Sequence, residues 1–220
     1  MSSASIGFAK TTSRPEKTAA AGTAITSLVP PAGGLKTKVT LFKYTPVTTA
    51  QSLAFMRVLG ATKLSAAAAA AATTVVLARD PGAYAANATA DGQPVPSVAN
   101  NLIASGDYLA IQKPDGTYYL VVAGTCTVNA DGTVTVASMT VPTGGLVAGA
   151  IVYWFGVAAD TDPRTNEAHP AWNSGTAAIT YGDGSYTVVE SNRVAEPVLF
   201  YSPNATNAGT LNLISVTYGP

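Results

Sequence analysis

Charge is what this sequence most lacks. Lys, Arg, Asp and Glu make up 11% of the 220 residues, against roughly 25% in an average soluble protein. Glu occurs only at positions 16, 167, 190 and 196. A surface with so few charges is not built to repel its neighbours. Histidine and cysteine each occur once, as His169 and Cys126. No internal disulfide is possible, and a catalytic triad of the Ser-His-Asp or Cys-His kind and a closed Cys/His zinc site both lack parts. No run of about 18 apolar residues exists, so no membrane helix is expected. The opening "MSSASIGFAKTTSRPEK" has no apolar core of the 7 to 15 residues that a secretory signal requires. The expectation is synthesis in a cytosol. No glycine-rich phosphate loop is present: "PAGGLKT" has neither a strand before it nor the Gly-Lys-Thr order.

What is present is β-forming. Val, Thr, Ala, Gly and Tyr are abundant, and Gly and Pro punctuate the chain about every ten residues, the composition of short strands and turns. Net charge is zero, but it is divided. Residues 1 to 63 hold eight cations and one anion, giving +7, and residues 64 to 220 hold four cations and eleven anions, giving −7. A basic leading third on an acidic body suits a contact in which the leading segment of one chain lies on another subunit.

Residues 1 to 37 are poor in bulky apolar side chains and cannot by themselves offset their ordering entropy. They are read as an extended N-terminal arm that gains its shape by docking, with partner-binding residues Lys10, Arg14, Lys17, Lys36 and Lys38. Residues 38 to 220 are read as an all-β body, an antiparallel barrel or sandwich, with a barrel-like core at about 60–158 and C-terminal strands over 175–220. Strands are predicted at "KTKVTLFKYTPV", "TTVVL", "DYLAIQK", "TYYLVVAG", "TVTVASM" and "AIVYWFGVA", and "SLAFMRVLG" is read as a strand, a short helix being the alternative. The Asp-Gly pairs at 115–116 and 131–132 mark turns, the first a hairpin candidate. The predicted core is Val75, Leu77, Leu109, Ile111, Leu120, Val122, Val134, Val136, Val152 and Trp154. The seven alanines at 66–72 run into Thr-Thr-Val-Val-Leu and stop at Asp-Pro-Gly. Two turns of uncapped alanine are too short to be a stable helix. They are read as a small-residue lead-in to a strand, a short helix being the alternative. The ending "EPVLFYSPNATNAGTLNLISVTYG" reads as two strands around a polar loop, closing on the terminus as an edge or intersubunit strand.

The one cluster that resembles a site is Asp160, Asp162, Glu167 and His169, three carboxylates and an imidazole within ten residues. Such a set could hold Ca²⁺, Zn²⁺ or Mn²⁺. Its spacing matches neither an EF-hand nor a zincin, and a generic acidic loop explains the same residues. No metal, cofactor or catalytic residue is therefore assigned. The cations of the leading segment are spread over more than sixty residues without interleaved aromatics, so no specific nucleic-acid binding is expected. Tyr84, Tyr118, Tyr181 and Trp172 leave a carbohydrate-binding module as an alternative of another class.

From "LSAAAAAAATTVVLA" through "ASGDYLAIQKPDGTYYLVV" to "GGLVAGAIVYWFGVAAD", the chain resembles small β-barrel modules in structural proteins of tailed bacteriophages. The likeness covers about residues 60 to 158 and brings no catalytic residues with it. It implies a non-enzymatic virion protein, most simply a head decoration or cement subunit. Its partners would be the major capsid protein or other virion subunits, and copies of itself in a homo-oligomer. A tail tube, baseplate or head-fibre component is the alternative within the virion.

Overall fold

The computed structural model describes residues 17–19, 26–31, 34–46, 51–78, 103–157, 161–162, 167–168, 171–174, 179–181, 189–191, 195–201 and 209–219. All regular structure among them is strand. The chain begins with β1 (Lys17–Ala19), β2 (Thr26–Val29), β3 (Lys36–Pro46) and β4 (Gln51–Arg57). Next come β5 (Gly60–Lys63), β6 (Val75–Leu77), β7 (Asp107–Gln112), β8 (Tyr118–Val122), β9 (Cys126–Val128) and β10 (Val134–Val136). They are followed by β11 (Ile151–Val157), β12 (Thr161–Asp162), β13 (Glu167–Ala168) and β14 (Ala171–Ser174). The last are β15 (Ile179–Tyr181), β16 (Val189–Glu190), β17 (Val198–Tyr201) and β18 (Gly209–Gly219). The chain divides into two compact units, one made of residues 1–57 with 168–220 and the other of residues 58–167.

The first unit holds two antiparallel sheets, one ordered β1-β18-β3-β15 with β16 also on β3, the other β14-β4-β17-β2. Their inner faces meet where the rings of Phe42 and Phe200 pack edge to face, centroids 5.3 Å apart. Val29, Val39, Tyr44, Met56, Val198 and Leu199 are buried with them. Within residues 1–37, residues 17–19 pair with β18 and residues 26–29 with β17 of the same chain. Ladder hydrogen bonds give this polar segment backbone partners that its small side chains could not replace. Residues 1–16, with Lys10 and Arg14, lie outside the described residues. The C-terminal strand is not simply an edge: at Gly209–Leu211 it lies between β1 and β3, and it pairs with β3 along most of its length.

The second unit carries the sheets β5-β11-β7-β8 and β6-β10-β9, and β12 pairs with β13. None of these sheets closes into a barrel among the described residues. Two features link the larger pair. Leu64 bridges Leu77, with Ser65 N donating to Val76 O and Ala78 N to Lys63 O. At the other end the chain runs from β8 into β9 through Ala123–Thr125. Leu64, Val75, Leu77, Leu109, Ile111, Val134, Val136, Val152 and Trp154 form the shared core.

Two predicted core residues, Leu120 and Val122, face the other way. Leu109 and Ile111 are fully buried, and their register partners across β7–β8 are Val121 and Tyr119. Directly opposed residues share a face, so Tyr119 and Val121 pack on the core and Val122 is 45% exposed. Alternation within "YYLVV" suits either phase, and only the partner strand decides it.

Both Asp-Gly turns have one construction. Gly116 N donates to Lys113 O and Lys113 N to Thr117 O, and the bonds Gly132 N to Asn129 O and Asn129 N to Thr133 O repeat the pattern. Gly116 and Gly132 have φ of 80° and 82°, the left-handed position that closes a three-residue hairpin loop. The alanine run is not a helix: Ala68 is bridged to Leu146, and Ala69–Ala72 form a turn in which Ala72 N donates to Ala69 O and Ala71 has φ 63°. Ala68 and Ala72 pack on the core, while Ala66, Ala67, Ala69, Ala70 and Ala71 are exposed. Small size is thus needed at only some of the seven positions.

Candidate interaction surface

The sequence of β3, "KTKVTLFKYTP", poses a problem for a strict period of two. Lys36 and Lys38 have the same parity as Phe42 and Tyr44, which are fully buried. Regular alternation would put two lysines into the core. The pairing with β18 removes the conflict. Phe42 opposes Leu213, Leu41 opposes Ser215, and Val39 opposes Val216. One extra residue thus stands on β18 at 214 and one on β3 at Thr40, and such an irregularity reverses the faces beyond it. Thr37 and Val39 point inward on one side of it, Thr40, Phe42 and Tyr44 on the other. Lys36, Lys38 and Lys43 consequently share the outer face with Leu41 and Thr45.

The polar groups turned inward are satisfied. Thr37 is fully buried: its N–H donates to Ser191 Oγ at 3.1 Å and its hydroxyl to Glu196 O at 3.0 Å. Ser191 N donates to Thr37 O and Ala195 N to Leu35 O. These bonds fasten the start of β3 to the segment after β16, which brings Glu190 to the outer face. Glu190 opposes Lys38 in register, and its Oε1 lies 3.7 Å from Lys36 Nζ. The two side chains are 30% and 42% exposed, so the pair contributes about 0–1 kcal/mol and is screened by salt. Among the described residues, three lysines against one glutamate leave this face basic. Its register positions on β18 and β15 include Thr210, Asn212, Thr217 and Thr180, none of them charged.

Of the predicted partner-binding residues, Lys36 and Lys38 thus come together, and Lys17 is in β1 at a register position opposite Leu211. Lys43 and Glu190 were not predicted as members. The position of Lys43 in the same predicted strand was a signal for it; nothing local marked Glu190, which arrives from about 150 residues away. Asp162 is in β12 and Glu167 in the strand paired with it, while Asp160 and His169 lie outside the described residues. Among the described residues no group of three metal-ligating side chains occurs. Cys126 packs on the core edge with Sγ 3.6 Å from Gly124 O.

No protein-family model and no curated protein matches the chain. Among solved structures, VP17, a capsid protein of bacteriophage P23-77, is similar at 11% identity, covering 94% of this chain and 99% of that one with a TM-score of 0.27. A superposition this loose does not establish a shared topology.

Proposed function

We propose that the chain is a non-enzymatic structural subunit of a tailed-phage virion, a decoration or cement protein that binds neighbouring subunits through the basic outer face of the β3 sheet. The observation that carries the contact is the paired irregularity at Thr40 and position 214, which gathers Lys36, Lys38 and Lys43 on one side of a sheet. The rest of the chain is acidic, so the same face suits the acidic surface of a second subunit. The virion assignment is supported by the sequence resemblance over residues 60–158. In this reading the second unit is a partly closed, barrel-like module, its two sheets joined by the Leu64–Leu77 bridge and the β8–β9 strand. Many modest contacts repeated over a lattice then stabilise a shell without any tight single site.

The test is location. Purified phage particles that encode this chain, separated into heads and tails and analysed by mass spectrometry, should hold it in the head fraction. Recovery with tails, or absence from particles, would overturn the assignment.

A further inference from the structure

The hydrogen-bond phase of β8 exposes a gap in the wall of the second unit. Lys113 N donates to Thr117 O and Ala123 N to Asp107 O. In an antiparallel ladder the bonded pairs alternate, so Tyr119 and Val121 also turn their backbone groups toward β7, opposite Ile111 and Leu109. Tyr118, Leu120 and Val122 turn theirs to the other edge. From Gly124 onward that same edge is taken by β10: Gly124 N donates to Ala137 O, Ala137 N to Thr125 O, and Cys126 and Val128 oppose Val136 and Val134. Then β10 ends. Ser138 has φ 59°, and the chain leaves to pair with the alanine segment, Met139 N on Thr73 O and Val141 N on Ala72 O. Among the described residues the Tyr119 hydroxyl, bonded to Thr140 O, is what spans the opening. Among the described residues β8 pairs with β7 alone.

Soluble proteins protect such edges with lysine, proline or a bulge. "YYLVV" has none of these, and its outward side chains include the exposed Val122 and Tyr118, whose ring lies 6.1 Å from that of Tyr153. Among the described residues the outward N–H and C=O groups of β8 have no backbone partner, and such a row selects an extended strand.

We propose that the free edge of β8 pairs with β8 of a second copy of this chain, antiparallel across a two-fold axis at Leu120. The lengths agree. The opening is five residues long, and so is β8, and the turn that precedes it leads back to β7 through the bond from Lys113 N to Thr117 O. Leu120 then opposes its own copy and Tyr118 opposes Val122, giving six backbone hydrogen bonds. The charges agree also: residues 117–130 hold none, so no like charges are brought together, and Lys113 is already paired with Asp115 at 3.4 Å. A five-residue strand contact falls short of the roughly 1,200–2,000 Å² of a stable interface. Pairing is therefore weak and concentration-dependent, as suits a contact used repeatedly in an assembly. This inference does not rest on the virion reading.

The test uses the full chain carrying Cys126→Ser and Leu120→Cys. Bonded antiparallel partners have Cα atoms about 5.5 Å apart, within the range a disulfide spans. Mild oxidation at rising protein concentration should give a disulfide-linked dimer at least tenfold faster than Thr143→Cys, an exposed control, in the same background. Adding Val122→Pro removes an outward N–H and no bond to β7, and should cut cross-linking at least tenfold with the circular dichroism spectrum unchanged. Val122→Lys, which charges the same edge, should act in the same direction. Equal cross-linking at positions 120 and 143, no dimer at any concentration, or a dimer indifferent to both Val122 variants would overturn the proposal. So would protection of β8 from hydrogen exchange that appears only when a different protein is added.

Discussion

The indole of Trp154 lies on Gly60, its register partner across β5–β11, so closely that a Cβ at position 60 would collide with the ring. Trp154 is 3% exposed and shares its face with Leu109, so it has no room to retreat. Gly60→Ala should destabilise the protein by about 1–3 kcal/mol, the usual cost of overpacking, as a lower midpoint in urea unfolding. An unchanged midpoint would show that the ring can move.

The phase of β8 has a direct consequence for stability. Leu109→Ala, at a fully buried core position, should cost about 2–5 kcal/mol. Leu120→Ala, on the opposite face of the neighbouring strand, should cost less than half as much. Equal losses in thermal unfolding would mean that both faces of the sheet are core.

Acid should weaken the two Asp-Gly turns. The Thr117 hydroxyl and then the Thr117 N–H, 2.6 and 2.9 Å from Asp115 Oδ1, hold that carboxyl below the ordinary range. The Thr133 hydroxyl and N–H do the same for Asp131 at 2.7 and 3.0 Å. A carboxyl whose pKa is lowered by folding adds stability that is present above its unfolded value, about 3.9, and is lost as pH falls through the lower folded value. Urea midpoints should hold from pH 7 to 5 and decline below about pH 4. The double variant Asp115→Ala, Asp131→Ala should show a shallower decline, and an identical acid profile would contradict this assignment.

Inserting one alanine after Thr40 tests the strand irregularity that sorts the faces of β3. The irregularity absorbs one extra residue, and a second would shift the alternation and turn Lys36 and Lys38 to the core face with Phe42 and Tyr44. The insertion should abolish cooperative unfolding of the first unit, whereas the double substitution Lys36→Ala, Lys38→Ala should change stability by less than about 1 kcal/mol. An insertion variant that unfolds like the parent would show that the strand absorbs the second residue as well.

What could be read from the sequence was local. Val75 with Leu77, Val134 with Val136, and Leu109 with Ile111 alternate in short runs bounded by turn residues, and all six are buried. The Asp115-Gly116 hairpin follows from the need for a positive φ at Gly116. What could not be read depended on a distant strand. Tyr119 and Val121, not Leu120 and Val122, face the core because β7 sets their phase. The outer face of β3 holds its lysines because β18, about 170 residues later, pairs with it out of strict register. The alanine run bridges and turns instead of forming a helix because Val141 and Leu146 supply its backbone partners, which alanine's helix propensity cannot outweigh over two turns.

The basic face of β3 is the centre of this account, and charge reversal tests it most directly. Heads lacking the protein should be mixed with the parent chain and with a Lys36→Glu, Lys38→Glu, Lys43→Glu variant, and co-sedimentation measured from 50 to about 500 mM salt, a range over which exposed charges become screened. Parent binding should fall as salt rises, and the variant, folded by circular dichroism, should bind at least tenfold more weakly at low salt. Equal binding of the two chains at every salt concentration would contradict it.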